Sequence, residues 1–208
     1  MIKSFKRHLF IVIDHNSKLE VIIIAFFGFI GLMLASLWKI YLHWLSIFVA
    51  PLEKPEMFWI IIPIWINWFF TEFFMEKYGT SFGNAISNGV IPILAAFDWI
   101  RHLVTLMNEG IIQLSFEGIM KFLLTAAVFS YGVFVIIAGI KLKRIVFFIG
   151  RIRWVTYILV MFTPIIYNVV SLNWYTMLAI VIFFPLYYWV IEIFDRITPE
   201  PRVYREDS

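Results

Sequence analysis

Cysteine is absent from the 208 residues. That excludes disulfides, thiolate-bound zinc, iron–sulfur clusters and thiol nucleophiles. Charge is scarce: Asp, Glu, Lys and Arg make up 15% of the chain, against about 25% in soluble domains. Histidine occurs only as His8, His15, His43 and His102, with no pair at ligand spacing. There is no Gly-x-Ser-x-Gly elbow, Walker loop, His-Glu-x-x-His or Gly-rich dinucleotide loop. Arg ladders of voltage sensors and potassium-filter sequences are missing too. No segment between the apolar runs is long enough to fold alone. Accordingly no cofactor, catalytic residue or metal is assigned.

What is present is apolar surface. Hydrophobic residues make up 62% and aromatic residues 20% of the chain. This excludes a water-soluble globule, a disordered chain and a nucleic-acid-binding domain, and it indicates an integral membrane protein. A crossing helix needs about 20 apolar residues. Val21 to Trp38, extended by the aromatic stretch to Ala50, is the first span; Met57–Met75 is the second, Asn84–Met107 the third and Phe122–Ile140 the fourth. Trp154–Ile191 carries no charge and suits two crossings joined by a turn near Ser171 and Asn173. The expected fold is therefore all-α and polytopic, with six transmembrane helices. A β-barrel would need alternating apolar and polar positions. With a cytoplasmic N-terminus, only Lys39, Lys54, Arg101 and Lys121 of the 17 basic residues fall on or toward the outer side. That asymmetry places both termini in the cytoplasm.

Three regions follow. Residues 1–19 form an N-terminal amphipathic, interfacial segment; Leu9 to Ile13 is too short for the apolar region of a signal peptide. Residues 20–195 form the six-helix transmembrane domain, and 196–208 a short polar cytoplasmic tail. The basic stretch from Lys141 to Arg153 reads either as an interfacial helix near anionic headgroups or as a topogenic loop. Trp38, Trp44, Trp154, Trp174 and Trp189 lie near span ends, where indole rings prefer headgroup depth. Ala25, Gly28, Gly31 and Ala35 form a small-residue stripe for close helix approach, within the chain or between copies.

Polar groups are costly in lipid, so their placement is informative. On the third span Asn84, Asn88, Ala95, Asp98 and His102 share one stripe, flanked by Ser87 and Arg101. Asp98 is spaced to orient the His102 imidazole or to pair with Arg101. The stripe reads as a hydrophilic path, or as interhelical hydrogen bonding with plain helix caps at its start. Glu72 and Glu76, with Asn84 and Asn88, offer an oxygen-rich cluster of the kind hard cations take; alternatively Glu72 pairs with a basic group such as Lys77. Pro63-Ile-Trp-Ile-Asn67 and Pro164-Ile-Ile-Tyr-Asn168 both read Pro-Ile-x-x-Asn, each in the middle span of a three-span half. That would make the halves a 3+3 inverted repeat, with Asn67 and Asn168 at the path. Pro63, Pro92, Pro164 and Pro185 are the expected kink positions.

The expected function is a transporter or channel-type protein of the cell membrane, moving an ion or small solute along the third helix. The alternatives are a non-catalytic subunit or scaffold and, third, a lipid-modifying enzyme. Expected partners are the bilayer, further copies or other membrane proteins, and not nucleic acid.

Overall fold

The computed structural model describes the backbone of residues 2–77, 79–113 and 115–198, and side chains from residue 24 onward within them. The helices are α1 (Ile2–Val49), α2 (Phe58–Phe70), α3 (Phe82–Asn108), α4 (Phe116–Ile140), α5 (Val146–Ile149), α6 (Ile152–Ile166) and α7 (Trp174–Ile197). Two 3-10 turns, Ala50–Leu52 and Pro55–Met57, lead into α2, and a π-helical turn, Thr71–Met75, extends it. No strand occurs among the described residues. The protein is all-helical, as its apolar runs require: without water, backbone groups must pair within their own helix.

Among the described residues, five segments are long and apolar enough to cross a bilayer: Ile24–Leu52, Pro55–Met75, Phe82–Asn108, Phe116–Ile140 and Trp174–Ile197. Of the six spans expected, the remaining one, α6, is a shorter apolar helix. Its 15 residues reach about 22 Å at 1.5 Å per residue, short of the roughly 30 Å hydrocarbon core. The turn near Ser171 and Asn173 is found, with the Asn173 side chain capping α7 by accepting from Thr176 N (2.8 Å). What the uninterrupted apolar run concealed is that its first half is an interior helix.

The chain divides into two units, Met1–Leu42 and His43–Ser208. In the first, α1 continues through residues 14–17 without a break. The side chains of 1–23 lie outside the described residues, and with them the interfacial reading of 1–19. From Ile24 the helix is apolar on all sides, with Ile24, Phe27 and Leu32 each about two-thirds exposed; such a surface suits lipid. Within this unit nothing lies within 4 Å of a Cβ placed on Gly28 or Gly31.

In the second unit, α6 is the central rod, with α2, α3 and α7 packed around it and α4 laid along α3. Twelve of its 15 residues are buried. α3 and α4 approach at Gly89 and Gly132, where a Cβ on Gly132 would stand 2.6 Å from the Gly89 carbonyl oxygen. α4 begins at Phe116, ahead of the expected Phe122, because Ser115 caps it and its one internal cation is neutralised. Lys121 is 1% exposed, with Nζ 2.9 Å from Glu117 Oε1 and 2.7 Å from Asn168 Oδ1. Residues 199–208 lie outside the described residues, so the expected tail is represented only by 196–198.

The four prolines sit inside helices that continue through them. Pro92 and Pro164 are buried, while Pro63 and Pro185 face outward. The two Pro-Ile-x-x-Asn stretches differ in setting. Asn67 lies within α2, whereas Asn168 is exposed beyond the end of α6 in a left-handed conformation (φ 61°). Asn tolerates that conformation at a helix terminus. The expectation that Asn168 lies inside a span is therefore corrected, and the motif gives the 3+3 repeat no common geometry.

Candidate functional site

Polar residues gather at two ends of α3. The first cluster is built by the π-helical turn. One wide turn shifts the side chains that follow, and such turns recur at functional sites. Here Thr71, Glu72 and Phe73 are all buried. Glu72 meets Arg153, from the first turn of α6, with Arg153 Nε donating to Glu72 Oε1 at 2.5 Å. The same guanidinium donates from Nη1 to Glu192 Oε2 (2.7 Å) and from Nη2 to Asp195 Oδ2 (3.2 Å), both on α7. It also lies over the Tyr188 ring at 5.0 Å. Arg153 and Glu72 are 0% exposed. Arg151 stands 3.8 Å from Glu72, and Arg196 bonds Glu192 at 3.2 Å. Three carboxylates thus face three guanidinium groups. Glu72 Oε2 and Asp195 Oδ1 keep no hydrogen-bond partner among the described residues.

Glu76, also 0% exposed, joins separate elements. It accepts from Asn88 Nδ2 (2.7 Å), the Ile152 amide (2.9 Å) and the Thr80 hydroxyl. Asn88 donates again to Gly150 O (2.8 Å). Asn84 Nδ2 donates to Met75 O (3.2 Å), while Ser81 caps α3 through Asn84 N. The oxygen-rich set expected from Glu72, Glu76, Asn84 and Asn88 therefore does not converge. Glu72 turns to Arg153, and the N–H donors around Glu76 occupy the places a cation would need. No group of three or more His, Asp or Glu side chains among the described residues is arranged to hold a metal. Lys77, the partner weighed for Glu72, donates instead to the Thr198 carbonyl.

The second cluster lies toward the other end of α3. Asp98 accepts from Arg101 (2.7 Å) and from the Tyr167 hydroxyl (2.7 Å). Of the two pairings open to Asp98, the one with Arg101 forms. His102 is instead stacked on Tyr167, with centroids 3.8 Å apart and planes at 12°. Lys54 Nζ donates to His102 Nε2 (3.2 Å) and to Tyr167 O (3.3 Å). Lysine has no acceptor, so His102 Nε2 is the unprotonated nitrogen. A cavity of about 370 Å³ opens here, lined by Lys54, Glu56, Arg101, His102, Glu109 and Tyr167 among others.

Asn88 and Asp98 are ten residues apart on α3, about 15 Å along its axis. Between them Ala95 and Ala96 are 0% exposed, as is Trp99 just beyond Asp98, so the stripe faces protein and buried apolar packing separates its two ends. Asn67 is half-buried on α2, and its Nδ2 is unpartnered among the described residues. Sequence reasoning missed Lys54, Tyr167, Lys121, Arg153, Glu192 and Asp195. A signal existed for three of them: Glu192 and Asp195 share a face of α7, and Arg153 ends a basic run. Reading the whole run as an interfacial helix or a topogenic loop hid the last. In fact Lys141, Lys143 and Arg144 are exposed, while Arg151 and Arg153 turn inward, and the stretch holds the four-residue α5 and, from Ile152, the start of α6.

No protein-family model matches the chain, and no curated protein or solved structure matches it significantly. Its class comes from the fold: an all-helical, multi-pass membrane protein with, among the described residues, five helices of spanning length and a shorter buried one, α6.

Proposed function

We propose that this protein is a small transporter or channel-type protein of the cell membrane, moving an ion or small solute along α3. In this reading α6 counts as a sixth, protein-shielded crossing, and both termini are cytoplasmic. The observation that carries it is the polar cavity of about 370 Å³ lined by His102, Arg101 and Tyr167, the last two of which bond Asp98. Its titratable groups converge from α3, from the loop before α2 and from the end of α6. The buried layer at Ala95, Ala96 and Trp99 would be the closed gate, with Asn88 and Glu76 beyond it.

A second reading, a non-catalytic subunit or scaffold, draws on a different observation. Arg153 of α6 bonds Glu72, which extends α2, and Glu192 and Asp195 of α7, all within the same chain, as structural interhelical bonding requires. Flux in proteoliposomes separates the two. With Asp98→Asn, flux of the transported species is expected to fall about tenfold or more, because an intramembrane carboxylate marks the path. The thermal midpoint in detergent should stay near that of the wild type. Wild-type protein that moves no common cation, anion or proton would leave the scaffold reading.

A further inference from the structure

Two carboxyl groups of the Glu72 cluster occupy one edge of one guanidinium. Arg153 donates from Nε to Glu72 Oε1 (2.5 Å) and from Nη2 to Asp195 Oδ2 (3.2 Å). The Nε and Nη2 hydrogens run parallel along one side of the guanidinium plane, where a single carboxylate can take both. Here they go to different carboxyls. Glu72, from the π-helical turn, and Asp195, from α7, therefore stand side by side, and their charges act on each other. All three residues are buried: Glu72 and Arg153 are 0% exposed and Asp195 is 6% exposed. Each carboxyl keeps a second oxygen, Glu72 Oε2 and Asp195 Oδ1, that is buried and has no hydrogen-bond partner among the described residues.

The charges around this pair do not satisfy both carboxylates. Arg151 stands 3.8 Å from Glu72 Oε1, beyond hydrogen-bond distance, and gives Nη1 to the Tyr188 hydroxyl (3.1 Å). Glu192 takes the remaining Nη1 of Arg153 and is met from the surface by Arg196, which is 77% exposed. The Tyr187 phenol is within electrostatic reach, and Glu76 has donors of its own in Asn88 and the Ile152 amide. Two ionised carboxylates would thus share one guanidinium edge, each with a desolvated, unpaired oxygen. Like charges sharing a site do not both stay ionised, and an unpaired buried charge is costly. One proton removes both problems. It cancels one charge, and as an O–H it gives the two free oxygens to each other. We propose that Glu72 and Asp195 bind one proton between them at neutral pH, the hydroxyl on one free oxygen donating to the other. Bound, the proton fastens the π-helical turn to α7; released, it leaves two negative charges pressing those elements apart. The site is separate from the polar cavity at His102 and stands whether or not α3 lines a path.

The test is infrared spectroscopy of the full chain in dodecyl maltoside, a detergent with no carbonyl group. At about pH 7, where ordinary Asp and Glu side chains are ionised, the wild type should show the C=O band of a neutral carboxylic acid, shifted by ¹³C-labelling of the carboxyl groups. Glu72→Gln and Asp195→Asn should each abolish the whole band. The amide replaces the O–H as donor, and the carboxyl left alone on Arg153 ionises. Glu192→Gln should leave the band in place. Because the folded chain holds a proton that the unfolded chain has released, the wild-type thermal midpoint should fall as pH rises from about 6 to about 9, more steeply than that of Glu72→Gln. Absence of the band from the wild type at about pH 7 would overturn the proposal even if no variant folds. So would a band that survives Glu72→Gln or Asp195→Asn, a band removed by Glu192→Gln, or equal pH slopes for the wild type and Glu72→Gln.

Discussion

Replacing Arg153 by methionine is expected to destabilise the helix bundle by about 3–5 kcal/mol, because removing one partner of a buried ion pair strands the other. Here it strands more than one. Arg153 is 0% exposed and serves Glu72, Glu192 and Asp195 from three different nitrogens. Glu72 and Asp195 are themselves buried. The loss would be read as a large fall in the thermal midpoint in detergent, or as failure to recover folded protein. Arg153→Lys should rescue little, since an ammonium lacks the planar fork that reaches three carboxylates at once. Arg196→Met is the control. It removes a bond to the same Glu192, but Arg196 is 77% exposed, and exposed pairs contribute about 1 kcal/mol or less. Equal losses for Arg153→Met and Arg196→Met would show that the network is not what holds α2, α6 and α7 together.

The second large effect is expected at Gly132. A Cβ there would meet the Gly89 carbonyl oxygen at 2.6 Å and Ile93 Cγ1 at 2.9 Å. A side chain can rotate away; a backbone carbonyl within a helix cannot. Gly132→Ala therefore has to push α4 off α3, at about 1–3 kcal/mol for overpacking, and Gly132→Leu should cost more. Gly31→Ala, where a Cβ meets nothing within 4 Å, should leave the thermal midpoint unchanged. If Gly132→Ala were equally silent, the close approach of α3 and α4 would be wrong.

The two glycine sites also mark where sequence reading reached its limit. Small residues on the first span stood out because they recur regularly along one face. Gly89 and Gly132 are separated by 43 positions and become a pair only when α3 lies on α4. Arg153 is a similar case. Beside Lys141, Lys143 and Arg144 it has the local composition of a solvated loop, and only the π-helical turn at 71–75 and the face of α7 carrying Glu192 and Asp195 supply its partners. Asp98 and His102 were legible as residues that must avoid lipid. Their partners were not, because Lys54 and Tyr167 come from the loop before α2 and from the end of α6.

By itself the sequence determined the class of this protein. Long uncharged runs permit no solvent but lipid or protein, and in that setting the backbone has to close its hydrogen bonds as helices. It also determined that α3 keeps one side away from hydrocarbon, since four costly polar groups, Asn84, Asn88, Asp98 and His102, recur there at helical spacing. Only the tertiary structure decided that α6 is a short interior rod, that the carboxylates of α2 and α7 close on one guanidinium, and that the stripe on α3 is divided by a buried apolar layer. Hydropathy records what each residue prefers as a solvent. It does not record which other helix will provide it.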